Sequence, residues 1–199
     1  SEPETSMLNW QISKETREAL YGYTLTAILS LVALAGTMRL WRADVSVPFG
    51  YGNGDQLPIQ IWLKSTLETG WYLHNDRLGA PFTHDMHDYP TADHLHLGAM
   101  KLLGTLVTRD FWTVFNLYYI LGFPLAALTS LWTCRRLGVT WGPAILCSLL
   151  FALMPWHFAR GPNHLFLSSY FMIPPLVLVM LWIAQDQLWL ARRGDGTGT

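Results

Sequence analysis

Four long apolar runs constrain this chain more than any other feature. The first, ALYGYTLTAILSLVALAGTM at 19–38, carries no charge over 20 residues. At about 1.5 Å per helical residue, such a run crosses a hydrocarbon core about 30 Å thick. FWTVFNLYYILGFPLAALTSLWTC (111–134), WGPAILCSLLFALMPWHFA (141–159) and HLFLSSYFMIPPLVLVMLWIA (164–184) follow. The last is read with Pro174 and Pro175 in mid-span, which a membrane bundle tolerates because neighbours re-satisfy the freed backbone groups. Composition agrees with this reading. Charged residues make up 14% of the chain, against roughly 25% in soluble domains, and the net charge is −1. No basic run exists for nucleic acid to engage, so that class of partner is excluded. The expected fold is an all-α integral membrane protein with four spans (about 19–39, 111–134, 141–159 and 164–185).

The positive charges orient the spans. Lys14 and Arg17 precede the first, Arg135 and Arg136 separate the second and third, and Arg192 and Arg193 follow the fourth. If all four runs cross, these sets share one side, which the positive-inside tendency makes cytoplasmic; Arg39 and Arg42 oppose this weakly. The expected organisation is a cytoplasmic segment at 1–18, a membrane module at 19–185 and a polar cytoplasmic tail at 186–199. The loop 40–110 then lies outside, and the absence of a cleavage pattern after the first run marks that run as an anchor. Trp41, Trp112, Trp141 and Trp156 stand near run ends, as interfacial aromatics do. Cys134 and Cys147 fall in apolar runs and read as free, buried thiols.

The outer loop has structure of its own. In 55–70, Ile59, Trp62, Leu63 and Leu67 recur at helical spacing, and in 93–107 Leu95, Leu102, Leu103 and Leu106 do the same. Both read as amphipathic helices lying on the membrane or packed over the bundle. Between them, 70–92 reads as loop, punctuated by Gly70, Gly79, Pro81 and Pro90.

Three groups carry candidate chemistry. Asp55 follows Gly50, Gly52 and Gly54 and opens the first amphipathic helix, where a carboxylate serves either as a helix cap or as a site residue. His157, Arg160 and His164 cluster in PWHFARGPNH, where the guanidinium fork suits phosphate oxygens and snorkelling is the plainer alternative. THDMHDYPTADHLH (83–96) holds His84, His87, His94 and His96 with Asp85, Asp88 and Asp93. Asp85 and Asp88 are spaced to share a helical face, whereas His94 and His96 point to different sides of a helix. No zinc spacing such as H-E-x-x-H is present, so a solvated polar loop competes with a metal site there.

The order of these pieces resembles the amino-terminal part of the GT-C superfamily, membrane glycosyltransferases that use polyprenyl-phosphate-linked sugars. The likeness rests on GDQLPIQIWLKSTLETGWYLHNDRLGAPF, NLYYILGFPLAALTSLWTCRRLG and MPWHFARGPNHLFLSSYFMIPP, and covers about residues 20–185. It implies transfer of a sugar from a polyprenyl-phosphate donor to an acceptor at the outer face of a bacterial cytoplasmic membrane. It also implies Asp55 as catalytic base or ligand of a divalent cation (Mg or Mn), while the polar cluster at 83–96 offers His84 and His87 as further metal candidates. Asp85 and Asp88 become second-acid candidates, and Arg160, His157 and His164 the lipid-phosphate group. Such enzymes have many more spans than four, which implies the front of a larger transferase or a subunit that works with a larger membrane partner. The alternative from another class is a non-catalytic membrane scaffold or binding subunit.

Overall fold

Residues 13–50, 54–89 and 93–185 are described by the structure, a computed structural model. The segment 1–12, the tail 186–199 with Arg192 and Arg193, and the loop positions Gly52 and Pro90 lie outside the described residues. The protein is mostly helical. Four helical segments are long and apolar enough to cross a membrane: Lys14–Met38, Phe111–Arg136, Trp141–Arg160 and Pro162–Ala184.

Helix α1 (Lys14–Met38) begins where the Ser13 hydroxyl accepts the Thr16 backbone N–H, and ends at Arg39 in the left-handed region. Its burial is inverted relative to a water-soluble helix. The buried stripe is Gly22, Thr26, Ser30 and Leu34, while Leu20, Tyr21, Leu25 and Val32 are exposed. Thr26 and Ser30 return their hydroxyl protons to the carbonyls of Gly22 and Ala27, so no polar group is stranded. Small residues inward and large apolar residues outward is the pattern of helices packed in lipid. Gly22 shows why: a Cβ there would run into the indole of Trp141.

Helix α4 (Phe111–Arg136) is the central post. The Asp110 carboxylate caps it through Thr113, two arginines close its C-terminal end, and α1 and α5 pack along it. Helices α2 (Gln56–Thr69) and α3 (His94–Leu106) pack against each other and against α4. Ile59, Leu63, Leu97, Met100, Val114 and Phe115 form a common core with Tyr72. The polar residue that ties the loop to the bundle is Asn116, fully buried on α4. Its amide donates to the carbonyls of Val45 and Val47 and accepts from the Phe49 N–H.

The third and fourth apolar runs keep their membrane-length extent but are broken internally, and some other expectations need correction. The third run is two helices, α5 (Trp141–Ala152) and α6 (Pro155–Arg160), because Pro155 has no N–H to continue the ladder. The carbonyls freed at that break are taken by side chains. Tyr170 donates to Phe151 and Ala152 at 2.8 and 3.1 Å, and His157 Nδ1 lies 3.0 Å from the Ala152 oxygen. The fourth run is likewise broken into a 3-10 turn at Pro162–His164, a short α7 (Leu165–Ser168) and α8 (Ile173–Ala184). Pro174 and Pro175 stand near the middle of that segment and also in the first turn of α8, where their missing N–H groups cost nothing.

One correction concerns 70–92, which contains a short antiparallel pair, β1 (His74–Asn75) with β2 (His84–Asp85), in register His74 to Asp85. Asp85 stands on that strand and the chain turns before Asp88, so the two share no helical face. The second amphipathic helix forms as α3, which buries Leu97, Met100 and Gly104 and turns Leu95, Leu102 and Leu106 outward. Of the two cysteines, Cys147 is exposed rather than buried, and both are free thiols.

Candidate functional site

Asp55 occupies the N-cap position of α2, with its backbone carbonyl accepting the Ile59 N–H at 3.1 Å. Its side chain makes no capping hydrogen bond. The carboxylate instead meets Nδ1 of His164, from the 3-10 turn before α7, at 3.1 Å. The two residues are 109 positions apart. Gly54 makes the approach possible: its φ is +61°, and a Cβ there would lie 2.9 Å from His164 Cε1 and 3.1 Å from the Asn163 carbonyl. Gly50 plays a similar part against Asn163 Oδ1. Gly50 and Gly54 are thus the surface on which the 162–164 turn sits.

Beside this pair opens a cavity of about 300 Å³, walled by Asp55, Ile59, Trp62, Tyr89, Asp93 and Phe166. Two carboxylates, three aromatic side chains and an apolar flank suit a polyhydroxylated ligand, since carboxylates accept from hydroxyls and aromatic faces cover the sugar's C–H surface. Asp93 is the acid that sequence reasoning missed as a site residue. It was read as part of a polar cluster, and only the packing of α2 on α3 brings it to the cavity of Asp55. Asp85 and Asp88 do not line that cavity. Asp85 accepts the backbone N–H and Nδ1 of His87 at 2.9 and 2.7 Å, and these two bonds, the backbone one first, hold its carboxyl below its usual range. Asp88 is exposed.

The histidines separate. His94 hydrogen-bonds to the Tyr72 hydroxyl at 2.7 Å, and His96 to that of Tyr118 at 2.6 Å. The His96 ring also stacks on Phe166, centroids 4.8 Å apart, so it supports the cavity wall from behind. Burial pushes the His96 imidazolium pKa down, with Asp93 partly opposing. Among the described residues, no three His, Cys, Asp or Glu side chains come together as a metal site requires. Asp55 pairs with His164 and Asp85 with His87, so Asp55, His84 and His87 do not converge on one ion.

The expected phosphate group is also divided. His164 joins Asp55. Arg160, at the end of α6, lays its guanidinium 4.2 Å from the centre of the Trp156 ring, a cation–π contact at the start of the same turn. His157 is 1% exposed, stacks on Phe123 at 3.6 Å and spends Nδ1 on the break in the third span. Its place is in the packing of α4 on α6, away from Arg160's exposed side.

No protein-family model matches the chain, and no curated protein or solved structure matches it either. What the fold defines is a mostly helical chain with four membrane-length apolar segments and a polar, aromatic-lined cavity.

Proposed function

We propose that this chain is a GT-C-like glycosyltransferase, or the amino-terminal portion of one, acting on a polyprenyl-phosphate-linked sugar at the outer face of a bacterial cytoplasmic membrane. In this reading the chain is multi-pass with both termini cytoplasmic, and the loop 40–110 faces outward. The observation that supports it most is the Asp55 carboxylate, released from helix capping and set against His164 at a cavity of carboxylates and aromatic rings. Asp55 takes the proton of an acceptor hydroxyl as that oxygen bonds to the anomeric carbon. The bond from the anomeric carbon to the lipid phosphate breaks, and its electron pair leaves with the phosphate. His164 donates to Asp55 and fixes the orientation of the accepting oxygen. Trp62 and Phe166 position the sugar, Asp93 accepts from its hydroxyls, and Arg160 offsets charge gathering on the departing phosphate.

The test is transfer from a panel of polyprenyl-phosphate hexoses by the full chain in proteoliposomes. Asp55→Asn should lower the rate by about 100-fold or more, within the range for loss of a general base, with the fold retained. Arg160→Ala should raise the donor KM more than the acceptor KM. Chelation should leave the rate unchanged, since Asp55 acts as a base; a rate abolished by EDTA and restored by Mg or Mn would make it a metal ligand instead. Stoichiometric capture of a larger membrane partner, with no transfer by any donor, would favour the scaffold reading.

A further inference from the structure

A second cavity, of about 140 Å³, lies between α2 and α3 and is lined by Thr66, Leu67, Lys101, Gly104, Thr105 and Arg109, with Gly70 at its rim. Among the described residues, two cations line it and no acid does. The nearest acidic neighbour along the chain, Asp110, is occupied in capping α4 through the N–H and hydroxyl of Thr113. Glu68 lines a different cavity with Lys64, to which it is paired at 3.9 Å. Thr66 is 1% exposed, and its buried hydroxyl has no hydrogen-bond partner. Less than 1 Å² of that hydroxyl is accessible, so Thr66 lines the cavity without opening a donor into it. Lys101 donates one N–H to the Gly70 carbonyl at 2.7 Å, which fixes its ammonium at the rim with two donors remaining.

The surroundings narrow the choice of ligand. Arg109 precedes the cap of α4, so the cavity stands at the end of a helix long enough to cross a membrane. Close by along the chain, Leu102, Leu106 and Val107 are 59%, 75% and 61% exposed. This is the outward side of α3, unused by the core. Gly104 sets the depth, because a Cβ there would run into Leu67 and push α3 away from α2.

We infer that this cavity binds the phosphate of an anionic phospholipid, with Lys101 and Arg109 on the phosphate oxygens and an acyl chain lying along Leu102, Leu106 and Val107. The chemistry shared with any other source is a phosphate group; the exposed apolar side of α3, close to the end of a span, selects the lipid. The site is separate from Asp55 and does not depend on glycosyl transfer. It anchors α3 in the plane of the membrane, where long cationic side chains and apolar faces are stable together.

The experiment is photo-crosslinking of the intact protein in detergent with labelled phosphatidylglycerol, beside a labelled diacylglycerol of the same chains. Phosphatidylglycerol should label α3 saturably. Lys101→Gln and Arg109→Gln should each weaken labelling about tenfold, the scale for losing a charge-assisted hydrogen bond, and Arg109→Lys should recover part of it. Equal labelling by diacylglycerol, or labelling unchanged in both glutamine variants, would overturn the proposal. Full protection by millimolar inorganic phosphate would overturn the lipid assignment and make the site one for free phosphate. Unchanged melting temperatures in the variants exclude misfolding as the cause of any loss.

Discussion

His164 Nδ1 and the Asp55 carboxylate lie 3.1 Å apart, joined across 109 residues of chain by a turn that rests on Gly54. The contact links α2, which carries half of the cavity wall, to the start of the fourth apolar segment. Movement of either element is therefore felt at the carboxylate.

Gly54→Ala tests that dependence. The substitution forces an alanine into the left-handed region, at about 1–2 kcal/mol, and drives its Cβ against His164. Melting should fall by a few degrees, and transfer should fall far more than stability alone explains. Gly98→Ala on α3 is the control. A Cβ there meets nothing within 4 Å, so the helix should gain up to about 1 kcal/mol and keep its activity.

Asn116 holds the chain entering the site. Asn116→Leu would strand two carbonyls and an N–H beneath the 45–49 segment. Each buried group left unpaired costs about 1–3 kcal/mol, so a stability loss of about 3 kcal/mol is expected by thermal or denaturant unfolding in detergent. A loss under about 1 kcal/mol would show that solvent replaces the asparagine there.

His96 gives the account a pH dependence with a defined sign. Burial lowers its folded pKa below the ordinary value of 6.5, so the unfolded chain takes up the proton first as pH falls. Its contribution is complete above the unfolded pKa and is lost as pH drops through it toward the folded value. His96→Gln keeps a partner for Tyr118 but cannot titrate. Between about pH 7.5 and 5.5 the wild type should lose more melting temperature than His96→Gln, and parallel curves would refute the assignment.

Much of the fold was legible because its signals are local. A charge-free stretch such as 19–38, or a serine three residues before Thr16, reports on itself. The breaks at Leu153–Met154 and Ser169–Met172 were not, although Pro155 and Pro174 were in view. A proline within an apolar run is compatible with a kink or a restart, and Tyr170 and His157 decide between them by capping the freed carbonyls. The site was half legible. Asp55 and His164 were both singled out, for different roles, and only tertiary packing pairs them. Asp93 escaped because its part depends on how α3 lies on α2. The same packing decides which side of α3 meets the core: Leu95, Leu102 and Leu106 share the side facing away from it.

The central claim, that Asp55 and His164 work as one unit in sugar transfer, is tested most directly by a double-mutant cycle on the transfer rate in proteoliposomes. Asp55→Asn, His164→Ala and the pair are measured with the polyprenyl-phosphate hexose that the wild type uses best. The account expects each single variant to lose about 100-fold or more and the double variant to lose little beyond the worse single. Losses that add, or a wild-type chain that transfers from none of the donors, would contradict it.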